Sequence, residues 1–90
     1  MRTYKDKDLD YNFNLITGLY LRKKRESLNM TLDDLAKRCR TTRQNIFKYE
    51  TNKSRIKLDM YISICYALQL NPGEAYREIV ELTKEKGLEG

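Results

Sequence analysis

The sequence predicts an all-α domain built from five helices. Apolar residues recur at intervals of three and four residues, the spacing of one helix face, from about residue 32 onward. Residues that cap helix N-termini stand directly before such runs at Thr31, Thr42 and Asn71. No stretch shows a convincing alternation of apolar and polar residues, which is the pattern of a half-buried strand.

The first predicted helix covers residues 13–27. It contains a run of good helix formers, and its small residues Thr17 and Gly18 allow close contact with another helix. Asn29 can adopt the left-handed conformation that ends a helix. Residues 1–12 mix charges and tyrosines with few apolar residues, so we interpret them as an N-terminal arm and residues 13–87 as the folded domain.

The second and third predicted helices, residues 31–39 and 43–51, are short. Thr31 is the expected cap of the second helix, whose first turn carries acidic residues where the helix dipole favours negative charge. Thr42 is the expected cap of the third helix, and Asn52 is its expected end. Ile46 and Glu50 share one face of that third helix.

The fourth and fifth predicted helices cover residues 58–68 and 72–86. The fourth has the clearest amphipathic pattern in the chain. The fifth begins with a cap at Asn71 and a proline at the first helical position, and Gly87 is its expected end.

Length and composition limit the possible functions. With 90 residues the chain is expected to form one small domain with one core, and no run of about 18 apolar residues predicts a membrane span. The N-terminus lacks an apolar signal segment, so we expect a cytoplasmic protein with no membrane partner. Cys39 and Cys65 are interpreted as two buried apolar side chains.

The chain lacks features that are common in the active sites of enzymes. It contains no histidine, which removes the commonest general base and the commonest metal ligand, and it contains no phosphate-binding glycine motif. We therefore expect no enzymatic activity, no metal and no cofactor.

Positive charge is concentrated in the middle of the chain. Residues 22–57 hold twelve cations and four anions, a net of +8, whereas residues 58–90 hold three cations and six anions, a net of −3. This separation favours one surface that faces a polyanion and another that faces solvent or a partner. A basic helix face without a ligand is the alternative interpretation.

The second and third helices together have the layout of a helix-turn-helix. They are short, and a turn of three or four residues joins them. In such a unit the first helix crosses the DNA backbone, while the N-terminal residues of the second enter the major groove. The stretch TTRQNIFKYETNKSR, residues 41–55, would then be the recognition helix and the loop after it.

Over residues 15–76 the sequence resembles the phage-repressor helix-turn-helix family, the Cro/CI or XRE type. Thr31, Leu35 and Ala36 match the start of its first motif helix, and Thr42, Ile46 and Glu50 match its recognition helix. A further match lies in the later segment at Ala67, Leu68 and Leu70. The resemblance implies a phage-repressor-like five-helix DNA-binding domain.

The resemblance also implies roles for individual residues. In this family an arginine late in the first helix often pairs with the glutamate that ends the recognition helix, which here gives Arg25 and Glu50 as a structural ion pair. The side chains expected to read bases are Arg43, Gln44, Asn45 and Lys48. A purely solvated polar face is the alternative for these four.

Contacts to the DNA backbone are expected from hydroxyls at helix starts and from cations around the motif. The candidates are Thr31, Thr42, Lys53, Arg55, Lys57, Arg22 and Lys23. The sequence departs from the family at several positions, and two of these departures bear on the expected phosphate contact and on the turn. Leu32 stands where many members have a phosphate-binding glutamine, and Arg40 stands where the turn often has glycine.

The fifth helix has more apolar residues than a four-helix core needs. They either finish the core or form a contact between two copies, and we expect a homodimer because paired half-sites are the common way this motif gains affinity. The candidate contact residues are Tyr76, Ile79, Val80 and Leu82.

Three functional hypotheses remain open at this point. The first is a transcriptional regulator that binds specific double-stranded DNA and acts as a repressor. The second is an antitoxin that binds its own promoter and holds a toxin as its protein partner. The third is a protein-interaction module on the same fold, against which the +8 segment stands.

Overall fold

A computed structural model of the chain describes residues 7–85, with side chains from residue 13 onward. The described part contains five helices and no strand, so the all-α prediction is confirmed. The helices are α1 (Lys7–Ser27), α2 (Leu32–Arg38), α3 (Arg43–Glu50), α4 (Leu58–Ala67) and α5 (Pro72–Thr83).

The largest difference from the predicted boundaries is at the start of α1. This helix begins at Lys7, six residues before the predicted start, so half of the stretch interpreted as an arm is helical. The prediction started the helix where the apolar pattern starts, and residues 7–12 are mostly charged or polar. The rest of the arm, residues 1–6, and the predicted end of the last helix at Gly87 lie outside the described residues.

Side-chain caps fix the starts of three helices. Thr31 accepts a hydrogen bond from the Asp34 amide, and the Asp34 carboxylate accepts one in return from the Thr31 amide, both at 3.0 Å. This reciprocal pair lowers the pKa of the Asp34 carboxyl. Thr42 and Asn71 cap α3 and α5 through a single bond each, in which the side-chain oxygen accepts from the amide of Asn45 or of Glu74. The three predicted caps are thereby confirmed.

One apolar core joins all five helices. It contains Tyr20, Leu21, Leu35, Ala36, Cys39, Ile46, Ile64, Cys65, Leu68, Ala75 and Ile79. Both cysteines are free and buried, as interpreted from the sequence, and burial raises the pKa of both thiols. Because their protonated forms are favoured, the two side chains act as small apolar groups.

Four helices are followed, within two residues, by a residue with left-handed backbone, and none of these residues is glycine. Asn29, Arg40, Asn52 and Gln69 have φ between 54° and 62°. Asparagine tolerates this conformation, whereas a residue with a long side chain is strained there by about 1–2 kcal/mol. Gln69 is exposed, and the amide that follows it, at Leu70, donates to the Cys65 carbonyl at 2.8 Å and closes α4.

Replacing Gln69 with glycine should stabilise the domain. The strain is removed while no buried contact is lost, and part of the gain is offset by the greater freedom of glycine in the unfolded chain. We expect the free energy of unfolding to rise by about 0.5–1 kcal/mol, measured by urea denaturation. Gln69→Ala, which keeps the strain, should give no such gain, and equal stability of the two variants would contradict this explanation.

Gly18 marks the closest approach of α1 to α3. A Cβ atom built at this position would lie 2.5 Å from the Tyr49 carbonyl oxygen and 2.9 Å from that of Glu50. These atoms belong to the backbone of the last turn of α3 and cannot rotate away. The close contact expected at this small residue is therefore present, and the partner helix is α3.

Gly18→Ala should displace α3 or separate the helices. We expect a loss of about 1–3 kcal/mol in the free energy of unfolding, the usual cost of overpacking. Gly73→Ala is the matched control, because its Cβ would meet only a side-chain oxygen of Asn71 at 3.3 Å. Similar thermal midpoints for both variants and the wild type would show that the contact at Gly18 is not restrictive.

Candidate nucleic-acid interface

The turn between α2 and α3 is held by a short network of hydrogen bonds. The Thr41 amide donates to the Ala36 carbonyl at 3.0 Å, and Arg40 supplies the left-handed residue that reverses the chain. Thr42 then caps α3 by accepting from the Asn45 amide at 3.1 Å. The orientation of α3 relative to α2 is therefore fixed by local contacts.

One side of α3 faces solvent and is rich in long polar side chains. Ile46 and Glu50 are buried, whereas Arg43, Gln44 and Lys48 are exposed. Phe47 is 46% exposed and lies on the same side, because it follows these residues at helical spacing. We call Arg43, Gln44, Phe47 and Lys48 the exposed face of α3. The spacing of four residues between Arg43 and Phe47 in the sequence was a usable signal for this position.

Asn45 lies on the other flank of α3. Its side chain is half-buried, and Nδ2 donates to the Thr41 hydroxyl at 2.9 Å. The structure thus places three of the four predicted base-reading residues together and sets Asn45 apart, next to the turn. The side-chain nitrogen of Asn45 therefore helps to hold the turn.

Arg25 and Glu50 form a buried ion pair with two hydrogen bonds. Arg25 Nε lies 2.7 Å from Glu50 Oε2, and Nη2 lies 2.9 Å from Oε1. The remaining terminal nitrogen of Arg25 donates to the Met30 carbonyl at 2.7 Å. These bonds raise the pKa of the Arg25 guanidinium. Glu50 is 5% exposed and Arg25 is 8% exposed, so the pair connects α1 to the end of α3 away from bulk water.

The basic loop after α3 is anchored to the end of that helix. The amides of Lys53 and Ser54 both donate to the Lys48 carbonyl, at 2.8 and 3.3 Å. Lys53, Arg55 and Lys57 are exposed along the loop. The structure therefore brings these three predicted backbone contacts to the C-terminal end of α3.

The two cations predicted from α1 lie in different places. Arg22 is on the flank of α1 next to Arg25 and pairs with Glu26 at 3.0 Å on the surface. Lys23 instead lines a groove between α1 and α5. Arg22 is thus near the helix-turn-helix, whereas the structure does not bring Lys23 together with the basic loop.

An acidic residue stands beside the exposed face of α3. Asp33 Oδ1 lies 3.8 Å from Arg43 Nε, and both side chains are about two-thirds exposed, at 67% and 64%. An anion at this position opposes the approach of phosphate, whereas a contact this long and exposed holds the arginine only weakly. In the sequence, Asp33 stands out only as one of the acidic residues in the first turn of α2.

The four apolar residues predicted for a dimer contact lie in different places. Ile79 is 1% exposed and belongs to the core, so it is not available to a second copy. Tyr76 is exposed and packs edge-to-face against Phe13 with ring centroids 6.0 Å apart. Leu82 lies on the opposite flank of α5 from Tyr76, toward α1, and Val80 is half-buried.

Residues 7–85 contain neither a metal-binding cluster nor a membrane-spanning helix. No group of three or more cysteine or acidic side chains is placed to hold a metal ion there. No helix in the same range is long and apolar enough to cross a membrane.

A model of a helix-turn-helix family matches residues 21–74, which is more than half of the chain and includes α2, α3 and α4 completely. The chain belongs to this helix-turn-helix family of the Cro/CI (XRE) type. The members of the family are DNA-binding regulators and are typically not enzymes.

Solved structures agree with the helix-turn-helix fold. Two crystal structures of the clp gene regulator ClgR from Corynebacterium glutamicum superpose with TM-scores of 0.71 and 0.76. The first is 22% identical, with 77% of this chain and 90% of that chain covered. The second is 20% identical, with 82% and 79% covered. No curated protein sequence matches the chain.

The two departures from the helix-turn-helix family have structural consequences. Leu32 is half-buried against the core, so the first residue of α2 contributes packing where other members offer a polar side chain. Arg40 adopts the left-handed conformation at φ 54°, so the turn carries strain that glycine would not have.

Removing one charge of the buried ion pair should strongly destabilise this helix-turn-helix domain. Glu50→Gln keeps the shape of the side chain but leaves the Arg25 guanidinium buried without its counterion. We expect a loss of about 3–5 kcal/mol in the free energy of unfolding, measured by chemical denaturation. Arg25→Met combined with Glu50→Met should lose less than the two single changes added together.

The surface pair of Arg22 and Glu26 provides the control, since both side chains are about half exposed. Replacing both with glutamine should change stability by less than about 1 kcal/mol. If Glu50→Gln were equally mild, the buried pair would not hold α1 to α3.

Proposed function

We propose that this protein is a transcriptional regulator that binds a specific double-stranded DNA sequence and acts as a repressor, with α3 in the major groove. The observation that carries the proposal is the exposed face of α3. It presents a guanidinium, an amide and an ammonium group on a helix whose position is fixed by a cap, a turn and a buried ion pair. A rigid element of this kind suits the reading of base edges.

The exposed face of α3 has groups for each type of base contact. The Arg43 guanidinium matches the O6 and N7 acceptors of guanine, and the Gln44 amide matches the N6 and N7 pattern of adenine. Phe47 suits the apolar methyl of thymine, and Lys48 suits either guanine or a phosphate. Asn45 would contribute through its carbonyl oxygen, because its amide nitrogen is bonded to Thr41.

Phosphate contacts would hold the register on both sides of the groove. The basic loop supplies Lys53, Arg55 and Lys57 from the end of α3, and Thr42 stands at its start. Thr31 and Arg22 would contribute from α2 and α1. Affinity falls as the salt concentration rises, and each neutralised phosphate makes the slope of log affinity against log salt steeper by about 0.9.

Repression would follow from occupation of a promoter by a homodimer. Two copies reading paired half-sites gain affinity, and bound protein excludes polymerase from the same DNA. The antitoxin hypothesis shares the DNA contacts and adds a toxin partner, whereas the interaction-module hypothesis removes them. DNA binding therefore separates the first two hypotheses from the third.

The direct test is a fluorescence-anisotropy titration with the DNA upstream of the gene and a scrambled duplex of equal composition. The wild type should prefer the upstream DNA. Arg43→Ala combined with Gln44→Ala should reduce that preference at least about tenfold, because each good base contact contributes about 1–3 kcal/mol of discrimination. Lys37→Ala combined with Arg38→Ala, which removes exposed cations from the end of α2, is the control.

Two results would contradict the proposal. One is equal affinity of the wild type for both duplexes at every salt concentration. The other is an unchanged preference in the Arg43/Gln44 variant, which would place sequence reading elsewhere on the molecule.

Asp33→Asn should tighten binding to DNA of either sequence. Removing the anion 3.8 Å from Arg43 lowers repulsion of phosphate, so binding to both the upstream and the scrambled duplex should tighten several-fold. The contact to Arg43 is long and exposed, so its loss should change the preference for the upstream DNA little. Glu74→Gln, which neutralises an exposed carboxylate on α5, should alter neither quantity. Unchanged affinity of Asp33→Asn for the scrambled duplex would contradict this role of Asp33.

A further inference from the structure

A groove of about 530 Å³ runs between α1 and α5, away from α3. Its apolar surface comes from Ile16, Leu19 and Leu82. Leu19 is 39% exposed even though it lies in the middle of a 21-residue helix. The side of α1 that contacts α3, through Gly18 and Arg25, is a different face of the same helix. A partner in this groove would therefore leave the exposed face of α3 accessible.

The two sides of this groove differ in charge: the basic wall is the pair of lysines that line it on α1, and the acidic wall is the row of glutamates that lies beside it on α5. On the α1 side, Lys23 and Lys24 line the groove one turn beyond Leu19 and Tyr20. On the α5 side, Glu78 and Glu81 stand with Leu82 in an adjoining depression that also includes Arg77. Spacings of three and four residues place Glu78, Glu81, Leu82 and Glu85 along one flank.

The floor between the walls is a fixed surface. The Tyr20 hydroxyl donates a short hydrogen bond to Glu78, which joins α1 directly to α5. The Lys24 ammonium lies over the Tyr20 ring, 5.2 Å from its centroid. Glu81 makes a long contact to Lys84 at 3.9 Å, and both side chains are well exposed. Exposed pairs of this kind exchange partners at little cost.

We propose that this groove is the homodimer interface and that its occupant is a second copy of this chain. In a twofold dimer the same patch meets itself, so the patch must be self-complementary. With the twofold axis along the groove, the basic wall on α1 of one copy faces the acidic wall on α5 of the other. Leu19 and Leu82 are then covered near the axis, and each charged contact occurs twice.

The interface deepens the homodimer of the proposed function and rests on it. It also accounts for the separation of charge along the chain, since the acidic C-terminal segment meets the basic edge of α1 instead of DNA. Of the residues predicted for a dimer contact, only Leu82 lies in this groove. Tyr76 belongs to a second apolar groove on the other side of α5, which also includes Leu58.

The test uses two charge-reversal variants of the full chain. The basic-wall variant is Lys23→Glu with Lys24→Glu, and the acidic-wall variant is Glu81→Lys with Glu85→Lys. Glu78 is left unchanged because it bonds Tyr20. Oligomeric state is measured by sedimentation without DNA, and thermal melts establish that each variant is folded. Lys37→Glu with Arg38→Glu on α2 is the control with the same change in net charge as the basic-wall variant.

The interface predicts a reciprocal result. Each wall variant alone should lose at least tenfold in dimer affinity, because like charges face each other twice. An equimolar mixture of the two should recover a heterodimer, because both pairs of walls are again opposite in charge. The wild-type dimer should also weaken when salt rises from about 0.05 to about 0.5 M, as charge pairs at a surface are screened.

Three outcomes would overturn the inference. Wall variants that remain as dimeric as the control would place the interface elsewhere, and loss of that dimer in Leu58→Asp would assign it to the second groove. If both wall variants are monomeric and their mixture forms no heterodimer, the basic wall of one copy does not face the acidic wall of the other. A monomeric wild type would exclude the dimer. In each case the anisotropy titration against upstream DNA decides separately whether the protein is a DNA-binding regulator.

Discussion

The attachment of α1 to the last turn of α3 determines where the two helices of the motif lie. Two contacts, seven residues apart on the same face of α1, make this attachment. At Gly18 the missing Cβ lets the Tyr49 and Glu50 carbonyls approach, and at Arg25 the guanidinium holds the Glu50 carboxylate with two bonds. A third bond from Arg25 to the Met30 carbonyl fixes the entry into α2. One arginine therefore sets the position of both helices of the motif relative to the long first helix.

This attachment explains how a helix of only eight residues can serve as a rigid reading element. An isolated helix of that length is not stable in water. The Thr42 cap fixes the start of α3, Ile46 anchors its middle in the core, and the ion pair holds its end. The side chains of the exposed face are therefore not needed to hold the fold, whereas Asn45, on the other flank of α3, holds the turn. Binding would not require α3 to become ordered, so no binding energy would be spent on folding it.

Much of the fold could be predicted from local chemistry, since caps at Thr31, Thr42 and Asn71 and apolar spacing act over a few residues. The start of α1 could not, because residues 7–12 are mostly charged or polar and give no apolar pattern from which to predict a helix. The left-handed residue at Gln69 was also missed, since glutamine carries no signal for that conformation. In the candidate site, exposure of Arg43, Gln44 and Lys48 follows from helical spacing, whereas the bond of Asn45 to Thr41 and the position of Lys23 in a groove depend on tertiary packing.

DNA binding by the exposed face of α3 and the basic loop can be followed at individual residues. The measurement is of amide chemical shifts of isotope-labelled protein during titration with the upstream duplex and then with its scrambled counterpart. If α3 reads bases and the loop binds phosphates, residues 42–48 should show large shifts that depend on the DNA sequence. Residues 53–57 should then shift with both duplexes, and α4 should change little. Shifts confined to α4 and α5, or identical patterns with the two duplexes, would contradict these expectations.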